Sequence, residues 1–149
     1  MEDLVSPSRL RDEGYLLPFV TKAKQVADVP VGGVGLIKTP ETAEKLLADE
    51  KLDLISMARQ SIADPHWPRK LKAGNTDRIR ECICCNQCIG QTLTYTNVIY
   101  TTNPTVDKER EGESDAVESV AELKEVLVFG ASPAGLECAR VAGECCHRV

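Results

Sequence analysis

The sequence predicts an α/β fold. Three observations carry that expectation. Short apolar runs alternate with amphipathic helical stretches through residues 18–73, and the first run ends in glycines. A further apolar run, Val126–Phe129, opens into a glycine-bearing turn and a helix. Between these two α/β parts the chain carries four cysteines from Cys82 to Cys88, in the order Cys82-Ile83-Cys84-Cys85-Asn86-Gln87-Cys88.

The elements follow in order. Residues 18–27 put Phe19, Ala23 and Val26 at helical spacing behind Pro18, which suits a first helical turn. Val29-Pro30-Val31-Gly32-Gly33-Val34-Gly35 reads as a buried strand opening into a loop. Thr39-Pro40-Glu41 is a helix start, with Thr39 as N-cap, Pro40 in the first position and an acid in the first turn. That helix presents Ala43, Leu46 and Leu47 on one face and finishes near Glu50. Asp53-Leu54-Ile55-Ser56-Met57 is a second strand, followed by Ala58-Arg59; Asp64-Pro65 begins another helix that Gly74 ends. The order helix, strand, helix, strand, helix is that of a parallel sheet or barrel. Two strands close nothing, so this region is expected to be part of a larger barrel or an unstable fragment of one.

Residues 105–124 are rich in Glu, Asp, Ser and Lys and read as linker or surface loop, with 107–118 as solvated surface. Val126–Phe129 is then a buried strand, and a helix runs to about Cys145 with Cys138 on its inner face. The chain stops at Val149, where the second strand of a βαβ unit is expected, so the end reads as a truncation.

Bulk properties bound the function. The 149 residues are 42% hydrophobic and 28% charged, as in a soluble globular protein. No apolar run is long enough to span a bilayer, and the acidic start Met1-Glu2-Asp3 lacks the apolar core of a signal peptide. A net charge of -5 argues against nucleic acid as partner. Seven cysteines, four of them tightly packed, do not suit a secreted disulfide framework and point to metal-bound or free thiols in a reducing cytoplasm.

Three candidate sites stand out. Cys82, Cys85 and Cys88 form C-x2-C-x2-C, a spacing that lets three thiolates converge on one iron–sulfur cluster from a tight loop, while Cys84 points elsewhere. A complete cubane needs a fourth ligand, and no cysteine lies between Cys88 and Cys138. A zinc site on the same thiols or a loop of free cysteines is the alternative. In the second site, Gly130 and Gly135 occupy the first and third glycine places of a dinucleotide-binding turn, with Ala134 beside the third. Ser132 stands in the middle place, where a side chain weakens the close approach of a phosphate. A plain strand–helix connection is the alternative. In the third, Gly33, Val34, Gly35, Ala58 and Arg59 at the strand ends offer backbone N–H groups and one guanidinium to a phosphate, or else only turn the chain with Arg59 in solvent. His66 and Trp67 pack or face solvent, and His147 packs at a helix end.

Together these residues resemble the NADH:flavin oxidoreductase / old yellow enzyme family, in its multidomain iron–sulfur branch with 2,4-dienoyl-CoA reductase and trimethylamine dehydrogenase. The resemblance runs from about Gly14 to Val149. Its landmarks are Pro30-Val31 with Gly33-Val34-Gly35, Ser56-Met57-Ala58-Arg59, Ala63-Asp64-Pro65, Ile79-Arg80-Glu81-Cys82, Cys85-Asn86-Gln87-Cys88, Asn103-Pro104 and Pro133-Ala134-Gly135-Leu136-Glu137.

The resemblance implies a division into 1–73, the C-terminal part of an FMN-binding TIM (β/α)8 barrel; 74–104, a 4Fe-4S cluster segment; 105–124, a linker; and 125–149, the start of a Rossmann-like FAD/NAD(P)-binding domain. Gly33, Gly35, Ala58 and Arg59 then hold the FMN phosphate. Cys82, Cys85 and Cys88 ligate the cluster, and Gly130, Ser132, Ala134 and Gly135 form the FAD turn. Electrons pass between NAD(P)H, FAD, the cluster and FMN, with a small enoyl or amine compound as substrate and a homo-oligomer compatible. No catalytic residue is implied within this chain, and the isolated 149 residues are expected to be inactive and of low stability. Where the resemblance implies the fourth cluster cysteine, three residues before Asn103-Pro104, this chain has Tyr100. Cys84 stands in place of a glycine, Ser132 in place of the middle turn glycine, and Cys145-Cys146-His147 in place of Arg-Gly-His. A non-enzymatic zinc-binding or inactive fragment is the alternative reading.

Overall fold

Helix α1, Leu17–Val26, starts where Pro18 presets a helical φ and ends at Ala27, which turns extended. The computed structural model describes residues 11–108 and 119–149. The chain divides into two compact units, Met1–Asp107 and Lys108–Val149.

In the first unit, α1 packs through Leu17 and Val20. Phe19 and Val26, whose helical spacing predicts the helix, are 64% and 84% exposed, and Ala23 is exposed too. The reason lies across the interface. Val20 packs over Gly33, in ordinary contact range of where a Cβ would stand, and the 19/23/26 stripe turns outward. Lys24 then reaches Asp53 at 3.0 Å, and Asp53 also accepts the Val31 amide at 2.9 Å.

Strands β1 (Gly32–Gly33) and β2 (Leu54–Ile55) pair in parallel, with Gly32 opposite Leu54 and Gly33 opposite Ile55. Asp53 N–H to Val31 O (2.9 Å) and Ser56 N–H to Gly33 O (2.8 Å) extend the ladder at both ends. The crossover between them is α2, Pro40–Ala48. Its start matches the sequence expectation: Thr39 is extended and its hydroxyl accepts the Thr42 amide. Glu13 adds a second brace, accepting both the Lys38 and Thr39 amides at 3.0 Å. Ala43 and Leu46 are buried, whereas Leu47 is 39% exposed.

The core consists of Ile37, Ala43, Leu46, Leu52 and Trp67, with Leu17, Val20, Ile55, Met57, Leu71 and Ile79 packed around it. Trp67 is buried and its indole N–H donates to Lys38 O at 3.1 Å, satisfying its one polar atom. A short helix that the sequence pattern did not suggest, α3 (Arg59–Ala63), leaves directly from the end of β2. Helix α4, Trp67–Lys72, follows, and Gly74 closes it at φ +74. A 3-10 turn at Thr76–Arg78 leads to the cysteine segment, and α5 spans Gln87–Leu93.

In the second unit, α6 runs from Pro133 to Glu144, with Ser132 as N-cap and Pro133 in the first turn. Val126–Phe129 does not form the expected buried strand: Leu127 is 92% exposed and Phe129 fully so. A strand exists only through its neighbours. Among the described residues of this unit the pairing amounts to one parallel bridge, Glu125 with Arg148. For the same reason Cys138, expected in the core, is exposed. His147 packs at the helix end and accepts the Lys124 amide at 3.2 Å. Of the expected linker 105–124 and charged run 107–118, residues 109–118 lie outside the described residues. No described helix is long and apolar enough to cross a membrane.

Candidate functional site

The ends of β1 and β2 open into one cleft of about 460 Å³, a size in the usual range for small-molecule sites, about 300–1,000 Å³. Gly35, Ala58 and Arg59 line it, and so do Cys82 and Cys88 from the cysteine segment. Two of the sequence-predicted sites therefore share one cavity. Lys38 adds a second cation to the wall. Burial works against its charge, but the hydrogen bond and attraction of Glu81 prevail, and its pKa is raised.

Each glycine has a distinct reason. Gly35 is buried at φ +147, a backbone conformation open to glycine, and its carbonyl accepts the Gly14 amide at 2.6 Å. Gly33 does not line the cleft. A Cβ there would lie 2.4 Å from Leu52 Cδ2, so its task is to let β1 approach the core. Arg59 extends from the start of α3, and its guanidinium donates to the Asn86 carbonyl oxygen in the cysteine loop. Asn86 is itself left-handed at φ 60 and leads into α5, which places Cys88 in the first turn.

Within the first unit, the cysteine segment is held by three buried polar side chains that the sequence reading did not single out for this role. Gln60 accepts the Cys82 amide at 2.9 Å and donates to the Arg80 carbonyl at 2.8 Å. Asp64 accepts the Arg80 and His66 amides, both at 3.0 Å, and pairs with the Lys70 ammonium. Burial alone raises the Asp64 pKa, but these donors outweigh it and hold the carboxyl below its ordinary range. Asn103 donates to the Ile62 carbonyl at 2.7 Å and accepts from Thr105. Asp64 and Asn103 were visible as Asp-Pro and Asn-Pro pairs; nothing local marked Gln60.

The thiols have unlike surroundings. Cys82, Cys84 and Cys88 are buried and Cys85 is exposed. Cys84, at φ +55, turns away from Cys85 and lies against Cys82, with the sulfurs 3.9 Å apart. Tyr100 Oη is 2.8 Å from Cys82 Sγ and 2.7 Å from the Arg59 carbonyl. Its single proton serves one of these contacts at a time. Burial pushes the Cys84 thiol up to about 11, aided by Cys82 beside it. Burial also raises Cys88 and Tyr100, the latter further through its contact with Cys82. Cys85 is lowered by its hydrogen bond with Thr101 at 3.3 Å. Among the described residues no three His, Cys, Asp or Glu side chains are gathered as a metal site. Drawing Cys82, Cys85 and Cys88 onto one centre requires Cys85 to leave Thr101.

The glycine turn lies in the second unit. Gly130 has φ +117, and a Cβ on Gly135 would sit 2.1 Å from the Gly130 carbonyl oxygen. Both positions therefore need glycine for the tight turn and the close helix approach. Ser132 Oγ accepts the Gly135 amide at 3.4 Å, which occupies one of the N–H groups that a phosphate would use. Ala134 is exposed in the first turn of α6.

Comparison with known proteins gives a consistent set of likenesses. Residues 6–78 match the NADH:flavin oxidoreductase / NADH oxidase family. The chain is 37% identical to the NADH oxidase of Thermoanaerobacter brockii over 151 aligned residues, covering 100% of this chain and 23% of that protein. It is 31% identical to the cinnamate reductase of Clostridium sporogenes, covering 96% of this chain and 21% of that one. Among solved structures, histamine dehydrogenase from Rhizobium sp. 4-9 superposes with a TM-score of 0.88 at 36% identity, over 98% of this chain and 22% of its own. The chain thus spans between a fifth and a quarter of the length of these relatives.

Proposed function

Over residues 6–78 this chain belongs to the NADH:flavin oxidoreductase / NADH oxidase family, and from that membership we propose that it is part of a flavin-dependent oxidoreductase, reductase-like in activity and acting on a small enoyl-type compound. The observation that carries the proposal is the single cleft bordered by Gly35, Ala58 and Arg59 on one side and Cys82 and Cys88 on the other.

In this reading residues 1–73 are the last part of a TIM barrel that binds FMN. Residues 74–104 hold an iron–sulfur centre, 105–124 link, and 125–149 begin a Rossmann-like FAD/NAD(P)H domain. When bound, the flavins supply hydride and electron exchange and the iron–sulfur centre supplies single-electron transfer. The chain's own residues bind and orient. Arg59 and Lys38 would offer positive charge to an anionic phosphate, with Gly35 making the turn at the cleft wall and Gly33 keeping β1 seated behind it. Met57 and Ile62 add apolar wall to the cavity.

The donor set for the centre is Cys82, Cys85 and Cys88. These three thiols would hold an iron–sulfur centre once Cys85 leaves Thr101, and Tyr100 stands where the resemblance implies a fourth cysteine. For FAD, Gly130, Ala134 and Gly135 shape the turn and Ser132 competes with the phosphate for one amide. Free thiols throughout the described residues suit a reducing compartment, the cytoplasm.

Flavin fluorescence quenching on the complete parent enzyme tests the proposal. Arg59→Met is expected to weaken FMN retention at least tenfold while leaving the far-UV spectrum unchanged. Undiminished FMN binding by that variant counts against the cleft as the flavin site. A second reading, an amine dehydrogenase of the trimethylamine dehydrogenase type, is favoured by the likeness to histamine dehydrogenase. Reduction of bound flavin by a secondary or tertiary amine, and not by NADH, would select it.

A further inference from the structure

We propose that Glu81 sets the affinity of the cleft for phosphate, by holding the Lys38 ammonium in an ion pair that an incoming phosphate group has to displace. The inference deepens the flavin reading, on which it rests for the cleft as a phosphate site.

Both partners of the pair stand on fixed backbone. The Lys38 amide donates to Glu13 at 3.0 Å, and the Lys38 carbonyl accepts the Trp67 indole N–H at 3.1 Å. Glu81 lies between two pinned residues. The Arg80 amide donates to Asp64 and the Arg80 carbonyl accepts from Gln60, while the Cys82 amide donates back to Gln60. The freedom that remains is in the two side chains. They meet at 3.3 Å, Lys38 Nζ to Glu81 Oε2, although the residues are 43 apart in sequence.

The contact can open at little cost. The Glu81 side chain is 55% exposed and that of Lys38 28%, so water screens their attraction. Lys38 lines the cleft and Glu81 does not. The cation therefore belongs to the wall and its counterion lies outside it. The other acid near Lys38 is already engaged. Glu13 accepts the Lys38 and Thr39 amides on one oxygen and the Thr39 hydroxyl, at 2.7 Å, on the other. Burial disfavours the Lys38 charge, yet Glu81 and then Glu13 keep its pKa raised, so the ammonium arrives at any encounter charged.

Binding is then an exchange of anions at one ammonium. A phosphate monoester carries about −1.5 to −2 charges at pH 7 and three strong acceptor oxygens, against the single charge of Glu81. It prevails, but its net gain is smaller by whatever the Lys38–Glu81 pair contributed. Glu81 thus acts as an affinity-setting residue from outside the cleft.

Inorganic phosphate is the probe, titrated against the full 149-residue chain and followed by phosphorus NMR line broadening. Glu81→Gln is expected to bind it about two- to fivefold more tightly than wild type, the scale of an exposed ion pair. Lys38→Met should bind it more weakly than wild type. Adding Glu81→Gln to Lys38→Met should change little, because the competition needs both partners. The proposal is overturned if Glu81→Gln binds phosphate no more tightly than wild type, or if neither protein binds it. An equal gain with and without Lys38 overturns it too, since the effect is then one of overall charge. The Glu81 side chain is exposed, so its variant is expected to keep the fold, with matching far-UV spectra as the check. FMN is scored separately on the complete parent enzyme. FMN retained while phosphate is indifferent to Glu81 removes this inference alone; phosphate behaving as expected while no FMN is retained removes the flavin reading alone.

Discussion

The Gln60 side chain holds Cys82 as a neighbouring strand would, taking its amide proton while donating to the carbonyl of Arg80 two residues earlier. Gln60 lies one residue beyond Arg59 on α3, so the helix that aims the guanidinium at Asn86 also sets the position of the first cysteine. Loss of that side chain should be felt at the cysteine loop before anywhere else. Gln60→Ala leaves a buried donor and a buried acceptor without partners and should cost about 2–3 kcal/mol. Gln60→Glu keeps the acceptor for Cys82 but sets a carboxylate against the Arg80 carbonyl, and should cost no less. Amide hydrogen exchange at Cys82 should quicken in both, with Ser56 in the β1–β2 ladder little changed; unaltered exchange at Cys82 would contradict this.

Asp64 links stability to pH. Its folded pKa is depressed, so its contribution is complete above the unfolded carboxylate range, near about 3.9, and disappears as pH falls through the lower folded value. Urea melts from pH 7 to pH 2.5 should show stability falling at the acid end. Asp64→Asn should lower stability at pH 7 by about 2 kcal/mol, since it removes a charge-assisted pair with Lys70, and should flatten that acid limb. An unchanged limb in the variant would assign it to other carboxylates.

Two glycines of α6 should respond in opposite directions to the same substitution. Gly135→Ala drives a methyl group into the Gly130 carbonyl oxygen, which is backbone and cannot swing away. The expected cost is about 1–3 kcal/mol, with the first turn of the helix frayed. Gly143→Ala meets nothing within 4 Å and should stabilise the helix by about 0.5–1 kcal/mol. Helix content by circular dichroism and exchange at the α6 amides separate the two.

Tyr100→Cys should change metal content rather than fold. The new thiol replaces a phenol 2.8 Å from the Cys82 sulfur. After anaerobic reconstitution, iron and sulfide per chain should rise relative to wild type, with a cluster more resistant to oxidation. Equal iron in both proteins would show that Tyr100 does not limit assembly.

What could be read in the sequence was local. Thr39-Pro40-Glu41 announced α2 because capping is a matter of adjacent residues, and the parallel partners near Val31 and Leu54 were visible as apolar runs. The face of α1 was not legible, since Phe19, Ala23 and Val26 have as good a helical spacing as Leu17 and Val20. The choice between them is made by packing against the β1 region and the core, on other elements. Val126–Phe129 reads as a strand but lacks the pairing that would make it one in this unit. The cleft was partly legible: the residues flanking both strand ends were identified, whereas their meeting with Cys82 and Cys88 depends on Gln60, whose partner lies 22 residues away.

The β1–β2 pair has a wider consequence. Among the described residues each strand is bonded on one side alone, and Leu54, 61% exposed, sits beside an open row of amides and carbonyls. Such rims are templates for lateral association. A preparation of these 149 residues alone should therefore gather into assemblies as its concentration rises. Co-expression with a polypeptide supplying the flanking strands should instead yield a discrete, soluble complementation pair.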